Sequence, residues 1–279
     1  LGPSMAYTCG YYKNTDQLDQ AQYDKYDLIC RKLDIKASDH VLELGCGFGG
    51  FAHYAASHYG CRITAVNIST EQLAYAREHN TQDLPIQYIE ADYRNQHLYN
   101  PSQQLFDKVV SIGLCEHIGQ KNHQQFLQTA CQQLKPDGLF LLHTIGNNAT
   151  LTHTDPWIEK YIFPNGYLPS IQQLGKAMEG QWIMEDWHNI GRYYDHTLMD
   201  WDRNFRNHWN KIADQFDPQF YRMWRYYLLS CAGAFRARTM QLWQIVMSKP
   251  YAYTQGYDKA NYGERSNQRQ KASVEATSV

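Results

Sequence analysis

The sequence predicts a doubly wound α/β fold, in which a mostly parallel sheet is covered by helices on both faces. Short apolar segments bounded by turn residues alternate with longer helical patterns between residues 41 and 144. This alternation is typical of β-α-β units with right-handed crossovers. In addition, the first apolar segment runs directly into a glycine-rich turn at residues 45–50, which opens a helix. A turn of this kind after the first strand indicates a nucleotide-binding fold.

The elements of the alternating region follow from these patterns. Strands are predicted at residues 41–44, 62–66, 86–90, 108–112 and 139–144, and helices near residues 49–59, 69–80 and 121–134. Pro136-Asp137-Gly138 predicts a turn ahead of the fifth strand. Since strands joined by helices run parallel, their carboxyl ends and the loops that follow them should share one edge of the sheet.

The regular alternation ends after Thr144. An aromatic-rich segment, roughly residues 146–238, separates it from a further strand candidate at residues 241–247, which we expect to be a late edge strand. We interpret the segment as an insertion that binds the acceptor substrate. Its last helix, predicted at residues 217–238, has one apolar face that either packs on the sheet or walls a substrate pocket. The residues of this face are Phe220, Met223, Trp224, Tyr227, Leu228, Cys231 and Phe235.

Composition limits the functional classes. With 43% hydrophobic and 14% aromatic residues among 279, the chain can form a substantial core. Its 26 basic and 28 acidic residues give a net charge of -2, which does not favour a nucleic acid partner. The seven cysteines are scattered and form no Cys-x-x-Cys pair, so we expect neither a disulfide framework nor a metal site. A reducing cytoplasm is the expected location.

The chain divides into three parts in this interpretation. Residues 1–4 are read as the remnant of a cleaved tag, residues 5–250 as the folded catalytic domain, and residues 251–279 as a polar, disordered tail. No apolar run approaches the roughly 20 residues that a membrane-spanning helix needs. A leader peptide is not expected either.

Residues at the ends of the first and third predicted strands indicate a cofactor site. Gly45, Gly47 and Gly49 let the backbone bend and approach a ligand where a Cβ atom would collide. Glu43 lies two positions before the first of these glycines, and Asp92 follows the third strand. The G-x-G-x-G spacing favours S-adenosylmethionine over NAD, whose motif is G-x-G-x-x-G.

The end of the second predicted strand departs from a frequent pattern. Asn67 stands where many methyltransferases carry an acidic residue for the ribose hydroxyls, so other groups are expected to hold the ribose. Ser69 has the position of a helix N-cap. Gln72 lies in the first turn of the helix, where it is compatible with either a structural or a cofactor-binding role.

Several further motifs are spread widely along the chain. They are Tyr7-Thr8-Cys9, Leu44-Gly45-Cys46-Gly47-Phe48-Gly49-Gly50, Glu116-His117-Ile118-Gly119, Leu141-Leu142-His143-Thr144-Ile145-Gly146, Asp155-Pro156-Trp157-Ile158, Tyr161-Ile162-Phe163-Pro164-Asn165-Gly166, Glu185-Asp186-Trp187-His188 and Cys231-Ala232-Gly233-Ala234-Phe235-Arg236. Through these motifs the chain resembles the catalytic domain of cyclopropane-fatty-acyl-phospholipid synthases and the related mycolic acid cyclopropane synthases, over roughly residues 5–250. Phospholipid-acting bacterial members carry an additional N-terminal domain that these residues do not include.

The resemblance implies a Rossmann-like class I methyltransferase with a mostly parallel seven-stranded sheet. Its implied activity is cyclopropanation of cis double bonds in unsaturated acyl chains of phospholipids, with S-adenosylmethionine as methyl donor. A bicarbonate ion is implied beside the sulfonium, in contact with Cys9, Glu116, His143, Ile145 and Tyr194. The expected cofactor-binding residues are Tyr7, Thr8, Glu43, Gly45, Cys46, Gly47, Gly49, Asn67, Ile68, Gln72, Asp92, Tyr93 and Arg94.

These residue types suit the implied chemistry. An isolated alkene is a weak nucleophile, so methyl transfer leaves positive charge on the acyl chain, which an anion in an apolar pocket stabilises. Loss of a proton to bicarbonate would then close the ring. Glu116 is expected to accept the bicarbonate hydroxyl proton, His143 and Tyr194 to donate, and Cys9 and Ile145 to contribute backbone groups. From the residues alone, Glu116 is also compatible with a helix-end charge and His143 with a structural role. Cys9 is not expected to be a covalent nucleophile.

The resemblance also implies unsaturated phospholipid acyl chains as partners, peripheral contact with the inner membrane face and a cytoplasmic location, while a homo-oligomer is left open. Two alternatives remain at this stage. The chain could be a related methyltransferase that acts on an amine or gives a branched acyl product, or a catalytically inactive module that binds lipid or cofactor.

Overall fold

The computed structural model describes residues 1–80 and 82–250, and the tail predicted at 251–279 lies outside this range. Within the described residues, a seven-stranded sheet has the spatial order β3-β2-β1-β4-β5-β7-β6. The strands are β1 (His40–Leu44), β2 (Arg62–Asn67), β3 (Ile86–Glu90), β4 (Phe106–Ile112), β5 (Leu134–Asn147), β6 (Ile183–Asn189) and β7 (Met240–Ser248). The α-helices are α1 (Leu18–Lys32), α2 (Gly50–Tyr59), α3 (Thr70–His79), α4 (Gln96–Tyr99), α5 (His123–Gln133), α6 (Pro156–Tyr161), α7 (Ile171–Met178), α8 (Arg192–His208) and α9 (Pro218–Arg236).

The predicted doubly wound fold is confirmed. Strands β1 to β5 pair in parallel, and β7 pairs antiparallel with both β5 and β6. Each of the five strands predicted before residue 145 overlaps a strand of the structure. Because the five strands are parallel, the turn after β1 and the segments after β2, β3 and β4 all lie at one edge of the sheet.

In the late part of the chain, one prediction is wrong and one strand was missed. The strand expected at the edge is β7, which lies between β5 and β6, so β6 is the edge strand. Strand β6 was not identified because its pattern is inverted: Ile183 and Met184 are exposed, whereas Asp186 is buried. The Asp186 carboxylate lies 3.0 Å from the ammonium of Lys32 on α1, a partner that is distant in the sequence.

The turn predicted at Pro136-Asp137-Gly138 does not precede β5 but falls within it. Leu134 pairs with Phe106 and Leu139 pairs with Lys108, so five steps along β5 oppose two steps along β4. The three turn-forming residues therefore occupy an irregular part of the strand, as expected for residues that disrupt a regular ladder.

Helices α8 and α9 pack against each other beyond the carboxyl edge of the sheet. Together with the N-terminal segment they enclose a third apolar core, which is separate from the two cores on the faces of the sheet. Tyr194 and Trp201 of α8 and Tyr227 and Phe235 of α9 belong to this core. No helix in residues 1–80 and 82–250 is long and apolar enough to cross a membrane.

Candidate active site

The glycine-rich turn joins β1 to α2 and forms one wall of a cleft of about 280 Å³. The N-terminal segment forms the opposite wall, and Asn67 and Ile68, at the end of β2, close one side. Gly45, Cys46 and Gly47 line this cleft. The cleft therefore lies at the carboxyl edge of the sheet, where the sequence predicted the cofactor.

Two glycines of the turn have different roles. Gly47 has φ +54°, and a Cβ atom built on it meets no other atom within 4 Å, so it would project into open space beside the cleft. Gly49 has φ +81°, but its Cβ would lie 2.8 Å from the Tyr88 hydroxyl and 2.9 Å from the Ala76 Cβ. Gly49 does not line the cleft. Gly47 therefore leaves room for a ligand, whereas Gly49 allows α2 to pack closely against its neighbours.

Asn67 connects three parts of the cleft. Its Nδ2 donates to the Gly47 carbonyl at 3.2 Å and to Gln72 Oε1 at 2.8 Å, and its Oδ1 accepts from the Ile68 amide at 2.9 Å. Ser69 caps α3 as predicted, because its hydroxyl accepts from the Gln72 amide at 3.2 Å. Gln72 also lines the cleft, so its position is compatible with the cofactor-binding role that the sequence left open.

A second cavity of about 210 Å³ adjoins the first and shares Gly45, Asn67 and Ile68 with it. The predicted residues Asp92, Tyr93 and Arg94 line this second cavity. Asp92 accepts from the amide and the Nε of Arg94, both at 2.9 Å. The Arg94 side chain is the main cause that lowers the pKa of Asp92, so this carboxylate stays ionised. The two cavities form one elongated site, which fits a nucleoside joined to an amino acid.

Glu43 is buried beneath the glycine-rich turn and lines the cleft. Among the described residues, its Oε2 has no hydrogen-bond partner. Burial raises the pKa of Glu43 to about 8, against the opposing effect of the Lys25 ammonium. Glu43 is therefore placed for the cofactor-binding role that the sequence predicted.

A third cavity, of about 390 Å³, lies between the carboxyl edge of the sheet and helices α6, α8 and α9. We call it the acceptor cavity. Its lining includes Tyr194, Leu198, Tyr227, Cys231 and Phe235 from α8 and α9. Three residues of the predicted apolar face of α9, namely Tyr227, Cys231 and Phe235, therefore wall this cavity. The acceptor cavity meets the cofactor cleft at residues that line both, namely Tyr7, Thr8, Gly113 and His117.

Glu116 is the buried carboxylate of the acceptor cavity. Its Oε1 accepts from the Ile145 amide at 2.7 Å, while its Oε2 has no hydrogen-bond partner among the described residues. Burial raises the pKa of Glu116 from 4.5 to about 7, although the Ile145 amide opposes this shift. Near neutral pH this carboxyl can therefore either accept or donate a proton.

The structure brings together only some of the residues predicted to contact bicarbonate. Glu116, Ile145 and Tyr194 line the acceptor cavity. Cys9 is fully buried behind it, and its thiol donates to the Gly10 carbonyl at 3.2 Å. His143 lies deeper in β5 than Ile145, and neither its ring nor the Cys9 thiol lines any of the three cavities.

The His143 ring is buried beside Gln244 of β7. Its Nδ1 faces the Gln244 amide at 3.4 Å, and its Nε2 has no partner in the described part of the chain. Burial lowers the pKa of His143 well below its ordinary value, and the ammonium groups of Lys25 and Lys32 lower it further. The imidazole is therefore neutral, so it offers one donor and one acceptor.

Sequence reasoning missed two residues at the contacts between the cavities. His117 lines all three, and its ring packs edge-on against Phe163 at 5.7 Å. Gly113 has φ +72°, and a Cβ there would approach Thr8 to 3.0 Å. A signal for His117 was present, because it belongs to the Glu116-His117-Ile118-Gly119 motif. Gly113 could have been suspected as a glycine directly after a predicted strand.

The sheet order, the glycine-rich turn after β1 and the cleft at the carboxyl edge define a Rossmann-like methyltransferase fold. The structure superposes with a TM-score of 0.80 on the cyclopropane synthase MmaA2 from Mycobacterium tuberculosis, at 25% identity, covering 89% of this chain and 92% of that one. The same values describe the match to the mycolic acid cyclopropane synthase CmaA1 complexed with SAH and CTAB.

The sequence comparisons specify the family. The model of the mycolic acid cyclopropane synthetase family matches residues 1–245, and the chain belongs to this family. It is 47% identical over 249 residues to the cyclopropane-fatty-acyl-phospholipid synthase of Escherichia coli K12, which covers 89% of this chain and 63% of that protein. It is 35% identical over 268 residues to a probable fatty acid methyltransferase of Pseudomonas putida, covering 90% of this chain and 66% of that protein. The chain thus spans less than two thirds of the length of these relatives.

The contrast between the two turn glycines leads to a test. We expect Gly47→Val to abolish binding of S-adenosylhomocysteine, because the new side chain enters ligand space and takes a backbone conformation that β-branched residues avoid. Gly49→Val should instead lower the melting temperature, because its side chain collides with Tyr88 and Ala76. Calorimetry and thermal unfolding measure the two effects. Wild-type affinity in folded Gly47→Val protein would contradict the assignment of the cleft.

The raised pKa of Glu116 leads to a second test. When the pKa of a carboxyl group is higher in the folded than in the unfolded protein, the group makes its full contribution to stability at pH values below the unfolded pKa. This contribution is lost as the pH rises through the folded pKa. Relative to Glu116→Gln, the wild-type protein should therefore lose about 3 kcal/mol of unfolding free energy as the pH rises from 4.5 to about 7. Urea unfolding at several pH values measures this difference.

Glu159→Gln is the matched control for this experiment, since Glu159 is an exposed carboxylate on α6. A pH dependence that Glu159→Gln shares with Glu116→Gln would not be due to burial of the carboxyl group. A difference between wild-type and Glu116→Gln protein that stays constant from pH 4.5 to 7 would show that Glu116 ionises normally.

Proposed function

We propose that this chain transfers the methyl group of S-adenosylmethionine to a cis double bond in an unsaturated acyl chain of a phospholipid and closes a cyclopropane ring. The observation that carries the proposal is the junction between the cofactor cleft and the acceptor cavity at Tyr7, Thr8, Gly113 and His117. A methyl group presented through this junction enters an apolar cavity with a buried carboxylate. The family to which the chain belongs supports the same reaction.

The residues of the acceptor cavity suit an alkene substrate. Leu198, Phe163 and Phe235 offer apolar contacts for a hydrocarbon chain. Tyr7 and Tyr227, whose hydroxyls are joined by a hydrogen bond of 3.0 Å, also line the cavity. Aromatic faces stabilise a developing positive charge. Exclusion of water protects such a charge from capture, which the reaction requires.

The residues present also fit the proposed bicarbonate ion. Glu116 keeps one carboxyl oxygen without a partner among the described residues, and Tyr194 lines the same cavity. The bound ion would supply negative charge and a base for the proton that is lost on ring closure. Glu116 would accept the hydroxyl proton of the ion and hold it in one orientation. The Ile145 amide fixes the other Glu116 oxygen, so the carboxylate cannot turn away.

The remaining parts of the proposal concern location. We propose a cytoplasmic chain that contacts the inner membrane face peripherally, because a phospholipid acyl chain has to reach the acceptor cavity from a bilayer. Exposed Leu151 lines this cavity together with His153 and Asp155, and all three lie in the segment between β5 and α6 or at its end. This segment is the side on which an acyl chain would enter.

The reaction can be tested with vesicles of dioleoyl phosphatidylethanolamine, a lipid that carries both a cis alkene in each chain and a primary amine. We expect the lipid to gain one CH₂ unit per reacted chain, with loss of the alkene signals in the proton spectrum. Dipalmitoyl phosphatidylethanolamine, which has no alkene, should not react. Methylation of the amine with an intact alkene would contradict the proposal and identify an amine methyltransferase.

The same assay tests the anion site. Glu116→Gln should lower turnover by about a hundredfold to ten-thousandfold, as is usual when a group involved in proton transfer is lost. Its affinity for S-adenosylhomocysteine should stay close to that of the wild-type protein, and Glu159→Gln should leave turnover unchanged. Removal of carbonate from the buffer should slow the wild-type enzyme or the Glu116→Gln variant, and its return should restore the rate. If neither responds, a protein side chain accepts the proton.

A further inference from the structure

The N-terminal segment 5–10, which we call the strap, crosses the junction between the cofactor cleft and the acceptor cavity. Met5, Ala6, Tyr7 and Thr8 line the cofactor cleft, and the last two also line the acceptor cavity. The strap has no regular secondary structure. Its position therefore depends on the contacts that other parts of the chain make with it.

Backbone hydrogen bonds hold the two ends of this region. The Met5 amide donates to the Gly2 carbonyl at 3.1 Å, and the Tyr11 amide donates to the Ala21 carbonyl at 2.8 Å. Between these points the contacts come from side chains. Thr197 of α8 accepts from the Gly10 amide at 3.0 Å, and Tyr227 of α9 accepts from the Tyr7 hydroxyl at 3.0 Å.

The densest set of contacts joins Thr8 to helix α1. The Lys25 ammonium donates to the Thr8 hydroxyl and to Gln22 Oε1, both at 2.7 Å. The Gln22 Nε2 donates to the Thr8 carbonyl at 2.9 Å. Thr8 is thus held by its side chain and by its backbone at the same time. Gln22 and Lys25 are fully buried, whereas Thr8 is partly exposed to the cavities.

A fully buried lysine side chain does not by itself stabilise the fold. Removing an ammonium group from water carries a large desolvation cost, and an apolar side chain of similar size would avoid it. Glu43 attracts Lys25 electrostatically, yet no ion pair within 4.0 Å of Lys25 is found in the described residues. The Lys25 ammonium contacts Thr8 and Gln22, and it lies 4.4 Å from the centroid of the Tyr26 ring. Its contact with Thr8 indicates a role at the junction.

We propose that Lys25, supported by Gln22, is a positioning residue that latches the strap over the bound nucleotide and so sets how long the nucleotide stays in its cleft. The latch is the set Thr8, Gln22 and Lys25. The proposal rests on the proposed function only in taking S-adenosylmethionine and S-adenosylhomocysteine as ligands of the cleft. It assigns no proton transfer to Lys25.

The test measures the dissociation rate of S-adenosylhomocysteine from the full chain by stopped-flow displacement. Lys25→Met removes the hydrogen-bond donor and keeps an unbranched apolar stem, and Thr8→Val removes the hydroxyl and keeps the shape. We expect each change to raise the dissociation rate by about tenfold, because a buried hydrogen bond is lost and its other partner is left unsatisfied. Thr8→Ser keeps the hydroxyl and should behave like the wild-type protein.

The double variant separates the latch from a direct contact between Thr8 and the nucleotide. If the Thr8 hydroxyl acts through Lys25, Lys25→Met with Thr8→Val should release S-adenosylhomocysteine no faster than the more affected single variant. Multiplied effects of the two changes would overturn the proposal. Wild-type release from Thr8→Val protein would also overturn it, and this outcome can be observed even if Lys25→Met does not fold.

Lys32→Met is the matched control, since Lys32 is the other buried lysine on the same face of α1 and pairs with Asp186 on β6. It should lower the melting temperature without changing nucleotide release. If folded Lys32→Met protein released S-adenosylhomocysteine as fast as Lys25→Met protein, α1 packing and not the latch would control the rate.

Two outcomes separate this proposal from the proposed function. If the nucleotide is released as the latch predicts but dioleoyl lipid stays unchanged, only the proposed function is refuted. If the wild-type protein does not bind S-adenosylhomocysteine, both are refuted.

Discussion

The hydrogen bond from the Ile145 amide to Glu116 is the contact on which the candidate active site depends. It joins the segment after β4 to the carboxyl end of β5, and it holds a carboxylate inside a cavity that is otherwise largely apolar. Only one Glu116 oxygen is satisfied in this way among the described residues. Burial of this carboxyl group lowers the stability of the fold. The group lies at the place where the proposed chemistry needs a hydrogen-bond acceptor.

The second constraint is the shared wall between the cofactor cleft and the acceptor cavity. Gly113 forms part of this wall because the chain must turn with a positive φ after β4 and leave room for Thr8. Thr8 in turn is fixed by Lys25 and Gln22 of α1. The donor and acceptor sites thus adjoin across a few small or tightly held residues, which suits direct transfer of a methyl group.

The parallel strands and the turn after β1 could be predicted because each depends on a short local pattern. Strand β6 could not, since its buried Asp186 is stabilised by Lys32, more than a hundred residues earlier. Helix α1 also escaped prediction, because Gln22, Lys25 and Lys32 interrupt its buried face. The glycine-rich turn, Glu43 and Asp92 were predicted from the sequence pattern, whereas the residues of the anion site were suggested by family resemblance. Resemblance did not reveal that the His143 ring is buried and lines none of the three cavities. That placement follows from packing between elements that are distant in the sequence.

The most direct test of the account uses S-adenosylmethionine with a fully deuterated methyl group and dioleoyl phosphatidylethanolamine vesicles. The central claim is that the methyl carbon is added to the alkene and then loses one of its own hydrogens as the ring closes. Mass spectrometry of the product acyl chains should therefore show that two of the three deuterium atoms are retained. Retention of all three deuterium atoms would contradict the account, because it would mean that the proton is lost from the acyl chain and that a branched product forms.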